Sequence, residues 1–169
     1  MAVRLTLKSK FLGIGALLAV ALAYPIYLVI AQDDAVIAQA ERERKGGEVL
    51  APTLKALQAV QQHRAMSAMV RNGRSDLRSH WQAKRDEVAK AMEAVEEVAK
   101  RHPELDVVAP WNEIKGKWQR LAADVVSMSA SESFERHTEL CESLTLYLEQ
   151  IADRSSITYD PTVVGYEAG

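Results

Sequence analysis

His63, His80, His102, His137 and the single cysteine, Cys141, have the widest chemical range in this chain. No histidine stands three or four residues from another, so the two-imidazole helix spacing typical of zinc sites is missing. A lone thiol cannot close an internal bridge. Cys141 sits at helical spacing among Leu and Ile, where a small core residue fits; an intermolecular bridge is the minor alternative. The chain has no glycine loop to cradle a phosphate, no GxSxG elbow and no HExxH pair. Glu93, Glu96 and Glu97 could be imagined as a carboxylate pair, but they read as a solvated helix face. The expectation is a protein that is not an enzyme, with no metal and no cofactor. One stretch stands apart, Gln61-Gln62-His63-Arg64-Ala65-Met66-Ser67. Helical spacing puts Arg64 on a face with Leu50, Leu54, Leu57, Gln61 and Ala68. An unpaired guanidinium on an apolar face is costly. The expected remedy is a carboxylate from a neighbouring helix; the alternative is an anion held between helices. Arg64 and His63 are therefore the candidate ligand-binding residues.

Positioning those side chains falls to helices. Glu, Ala, Leu, Arg, Lys and Gln dominate the composition, while Gly, Pro and Phe are sparse. Periodicity predicts a helix from Asp33 to about Asn72, interrupted at Gly46-Gly47 and stopped at Asn72-Gly73. A second helix runs from about Ser75 or Asp76 to His102 and ends at Pro103. Its seam is Leu77, Trp81, Lys84, Val88, Ala91, Val95, Val98 and His102. The third has an unbroken three-four seam: Trp111, Ile114, Trp118, Leu121, Val125 and Met128, with Pro110 in the first turn. Both tryptophans are expected in the core. The fourth opens with a capping box, Ser129 and Glu132, and carries Phe134, His137, Cys141, Leu144, Leu148, Ile151 and Ser155. Asp160-Pro161 starts a turn, and Pro161 is placed to open a further helix.

The compartment is read from residues 11 to 31, which carry no charge. At about 1.5 Å per residue they can span a hydrocarbon core of about 30 Å. Arg4, Lys8 and Lys10 precede them; Asp33 and Asp34 follow. The positive-inside bias keeps the N-terminus cytoplasmic and places residues 32 to 169 outside. A cleaved signal peptide is the rival reading, with Ala21-Leu22-Ala23 as its cleavage site, but the apolar run continues to Ile30. A net charge of −2 gives no reason to expect nucleic acid as a partner.

The Gln61–Ser67 stretch resembles the "QQHRG-small" motif of helical extracytoplasmic sensor modules in bacterial transmembrane receptors. These are methyl-accepting chemotaxis proteins, sensor histidine kinases and diguanylate cyclases. The resemblance includes a Glu-rich entry ending in glycine (residues 41 to 46) and a tryptophan-containing third helix. It continues with His137-Thr138-Glu139-Leu140 and the stretch from Asp153 to Pro161, and covers about residues 36 to 166. Ala65 replaces the motif's glycine, and Gly165-Tyr166-Glu167-Ala168-Gly169 replaces a "SYYLMD"-like helix. Related nitrate-sensing modules use an arginine for anions, which by resemblance implies Arg64 as an anion contact. The family continues through a second span and an output domain, so the resemblance implies the N-terminal part of a receptor or a stand-alone relative.

The expected fold is all-α: a transmembrane helix followed by an antiparallel up-down-up-down four-helix bundle. The expected division is a cytoplasmic N-terminus (1–10), an anchor (11–31), a juxtamembrane stalk (32–47), a periplasmic bundle (48–156) and a tail (157–169). The expected function is a sensory input module in the bacterial inner membrane. It would act as a homodimer, bind a small anionic or aromatic-acid solute or a periplasmic partner, and relay helix movement. A membrane-anchored structural or interaction protein of the envelope, without ligand binding, is the alternative.

Overall fold

The computed structural model describes residues 7–157, apart from the side chains of Ser9, Ala31 and Ala35. The expected Asp160-Pro161 turn and any helix beyond it lie outside these residues. Everything regular among them is helical: α1 (Leu7–Arg71), α2 (Arg78–Arg101), α3 (Val108–Asp124) and α4 (Ala130–Arg154), with short 3-10 turns at Ser75–Leu77 and Pro103–Leu105. The chain divides into two compact units between Glu41 and Arg42.

In the first unit the apolar side chains of α1 are exposed, with no cover from the described residues. Phe11, Leu17 and Leu28 keep 69%, 73% and 48% of their surface exposed. An uninterrupted apolar surface of that length is unsuited to water. Among the described residues, α1 is the one helix long and apolar enough to cross a membrane.

The second unit has one core, to which all four helices contribute. From α3 and the turn after it, Trp111, Ile114, Trp118, Leu121, Val125 and Met128 are all buried, as their spacing predicts. Val88, Met92, Val95 and Ala99 face the core from α2. Leu140, Cys141, Leu144, Tyr147 and Ile151 do so from α4. Ser129 caps α4, its hydroxyl accepting from the Glu132 backbone N–H at 3.1 Å. The α1 terminus also follows its sequence signal. Gly73 adopts a left-handed φ of 97°, and the Arg74 N–H returns to the Met69 carbonyl at 3.1 Å.

Helix α1 departs from expectation in two ways. Its buried face is Val49, Thr53, Ala56, Val60, His63 and Ser67, one position away from the leucine-marked face. Leu54 is 54% exposed, and Leu50 and Leu57 are half-buried at the core's edge. Nor is α1 interrupted at Gly46-Gly47. Gly46 is buried where the backbone approaches Ser155, and a Cβ there would overlap the serine side chain. The glycine serves close packing within a continuous helix. Lys45 pairs with Glu104 at 2.9 Å and Glu48 with His102 at 2.7 Å, so part of the expected stalk belongs to the second unit.

Candidate functional site

The one-residue shift of the α1 face exchanges the roles of His63 and Arg64. His63 is fully buried, and its neighbours come from the other three helices. The Trp81 ring of α2 stacks on it at 5.7 Å and 23°. Trp118 of α3 meets it edge-on at 5.3 Å and 86°. His137 of α4, also fully buried, lies with its Nε2 2.8 Å from His63 Nδ1. A second polar link closes beside this group, as the Trp81 indole N–H donates to Ser67 Oγ at 2.7 Å.

Hydrogen bonding assigns the tautomers. His137 Nδ1 lies 2.5 Å from the Ser133 carbonyl, which can only accept. The proton of neutral His137 is therefore on Nδ1, and its Nε2 accepts. His63 must then donate from Nδ1, leaving its Nε2 as a bare acceptor. That Nε2 is buried and has no hydrogen-bond partner among the described residues. Burial is the main reason the two imidazoles stay neutral. It pushes His63 down to about 3, with help from the charges of His137 and Arg85. His137 is lowered by burial and, less strongly, by Arg64 and Arg71, against the opposing pull of the Ser133 carbonyl.

Arg64 sits at the edge of this cluster. Its guanidinium donates to Thr138 Oγ1 at 3.2 Å and lies 5.1 Å above the Phe134 ring. The expected carboxylate partner is not present among the described residues. Phe134 is 54% exposed, contrary to its expected place in the α4 seam. Of the two candidate ligand residues, His63 is therefore enclosed in the core, and Arg64 is held at the α1–α4 surface by a hydroxyl and a ring.

Burial raises the Cys141 thiol above its ordinary range, which disfavours the reactive thiolate. His137 and Cys141 lie one turn apart on α4, but the described residues contain no group of three metal-ligating side chains. Glu96 is held at about 2 by hydrogen bonds from Lys100 and Lys115 and acts as an ion-pair acceptor. Tyr147 donates to the Val107 carbonyl at 3.1 Å, and its ring lies tilted by 42° against Trp111 at 5.3 Å.

The sequence marked His63, Trp81, Trp118 and His137 separately but gave no sign that they meet. Trp81, Trp118 and His137 stood at seam positions of their helices, whereas His63 lay one position off the face read for α1. Comparison of the chain with protein-family models, curated proteins and solved structures gave no match.

Proposed function

We propose that this chain is a membrane-anchored sensory input module of a bacterial signal transducer. One observation carries the reading: α1 contains both the apolar segment and the residues His63 and Ser67 that engage the other three helices. A solute that alters the packing of those helices acts on an element that also carries the membrane anchor. The resemblance of Gln61–Ser67 and the later motifs to chemoreceptor and sensor-kinase input regions supports the same reading. So does the polar composition of the cluster, since a helix interface fixed by hydrogen bonds has discrete alternative pairings. The short connections around Ser75–Leu77, Pro103–Leu105 and residues 125–129 favour an up-down-up-down arrangement. In this proposal the second unit is periplasmic, and the module works as a homodimer.

Cysteine cross-linking in membranes tests the relay. Single cysteines are placed at exposed α1 positions such as Gln58 and Lys55, with Cys141 replaced by Ala. Cross-linking between copies that changes when periplasmic solutes are added supports an input module. Cross-linking that never responds, with a stop codon after residue 169 beside unrelated envelope genes, favours a static envelope protein.

A further inference from the structure

A cleft of about 490 Å³ opens next to the histidine cluster, where α1 ends and α2 and α4 begin. This volume falls within the range of small-molecule sites. Its polar wall is Arg71 from α1 with Arg78 and Gln82 from α2, and its apolar wall includes Val70, Trp81 and Val126. Ala130, the first residue of α4, lies at its edge. We propose that this cleft binds a small organic acid, one carboxylate on a planar apolar body, with Arg71 and Arg78 taking the carboxylate and Trp81 the ring. The proposal rests on the reading of the chain as an input module and gives that module a site.

The charge argument comes first. Two guanidinium groups line the cleft and no acidic side chain does. Neither arginine has a carboxylate partner among the described residues, although Arg74, between them in sequence, is paired with Asp76 at 2.8 Å. Arg71 spends one N–H on the Met128 carbonyl, and a guanidinium has five. The Arg78 side chain is exposed and has no hydrogen-bond or ion-pair partner among the described residues, its backbone N–H alone donating to the Ser75 carbonyl. An incoming anion meets donors that need not abandon another partner.

Shape and rigidity select the rest of the ligand. The Trp81 ring is fixed twice, through its indole N–H on Ser67 and by stacking on His63. It therefore offers a preorganised flat surface. Inorganic phosphate would use the arginines and leave the tryptophan and valines uncovered. A planar organic acid covers both walls. Because the lining comes from α1, α2 and α4 and the segment after α3, a bound acid adds a bridge between elements that share the core.

The test uses the full chain in detergent micelles, with calorimetric titration of benzoate, benzamide and inorganic phosphate. Saturable benzoate binding is expected, with benzamide at least about tenfold weaker, as expected for loss of a charge-assisted contact. Arg78→Gln should weaken benzoate by about tenfold without changing the melting temperature, because the Arg78 side chain forms no hydrogen bond or ion pair among the described residues. Arg120→Gln, a surface change on α3, should bind like wild type. The proposal is overturned by phosphate binding more tightly than benzoate, by benzoate binding untouched in Arg78→Gln, or by no saturable heat up to roughly 10 mM. Binding is read on the purified chain and relay by cross-linking in membranes, so the site and the input-module reading can fail separately.

Discussion

At the scale of single residues, the His63–His137 pair makes stability depend on pH in a defined direction. Both imidazoles are lowered from an ordinary value of 6.5 by burial, His63 to about 3. Well above pH 7 they are neutral in folded and unfolded chains alike and contribute no slope. As pH falls below about 6.5, the unfolded chain takes up protons that the folded chain refuses, so unfolding is favoured. Between pH 6.5 and 5, melting should therefore move to lower temperature. The stability loss should reach up to about 1.4 kcal/mol per pH unit for each histidine. His63→Gln should flatten that slope. An equal slope in the variant would remove His63 from the explanation. The lowered carboxylates, such as Glu48 and Glu96, lose their stabilising effect only at lower pH, so this window isolates the histidines. Arg64 makes a contrasting case. Its contacts are a part-buried hydroxyl and an exposed ring, so Arg64→Ala should cost about 1 kcal/mol or less. A loss of several kcal/mol on denaturant titration would reveal a buried ion pair instead. The sequence placed Arg64 on the packed face of this stretch, whereas the structure buries His63 there. Charge on a helix face is conspicuous in a sequence, whereas a buried imidazole is recognised only with its cross-helix partner.

At the scale of elements, legibility followed the size of the buried side chains. The α3 seam was readable because tryptophan, isoleucine and leucine occupy its core positions, and all of them are buried. Trp118→Ala should accordingly cost roughly 3 to 5 kcal/mol in denaturant unfolding of the solubilised chain. A change below about 1 kcal/mol would contradict its place between His63 and the core. In α1 the core face mixes Val49 and Val60 with small or polar residues, Thr53, Ala56, His63 and Ser67, while the leucines lie beside it. Hydropathy therefore marks the neighbouring position. The same cause hid the continuity of the helix, since a glycine pair reads as a break until the close approach of Ser155 is seen. The two glycines should respond oppositely. Gly46→Ala drives a methyl into Ser155 and should destabilise by about 1 to 3 kcal/mol. Gly47 is exposed with open space around its Cβ direction. Gly47→Ala should stabilise the helix by roughly 0.5 to 1 kcal/mol. Thermal melts of the two variants decide the point, and equal effects would refute the close-packing role of Gly46.

At the scale of the whole molecule, function depends on where the chain lies relative to a membrane. The described part of α1 carries a span-length apolar surface with no protein cover. Arg4, Lys8 and Lys10 lie before that span, and Asp33 and Asp34 after it. Insertion energetics make the basic side the one retained in the cytoplasm. A phosphatase that is active only outside the cytoplasm, fused after Gly169, should therefore be active, and a cytoplasmic reporter at the same point should be silent. Replacing Arg4, Lys8 and Lys10 with Gln removes the asymmetry, so the fusion population should become mixed in orientation. The same cells distinguish anchor from signal peptide. An uncleaved anchor leaves the chain at full mass in membranes after an alkaline wash, whereas cleavage after Ala23 releases a shorter soluble chain. Phosphatase activity with release would keep the compartment and remove the anchor. Activity of the cytoplasmic reporter in the unaltered chain would remove both, and with them any route by which a periplasmic acid could reach the cleft between Arg71 and Arg78.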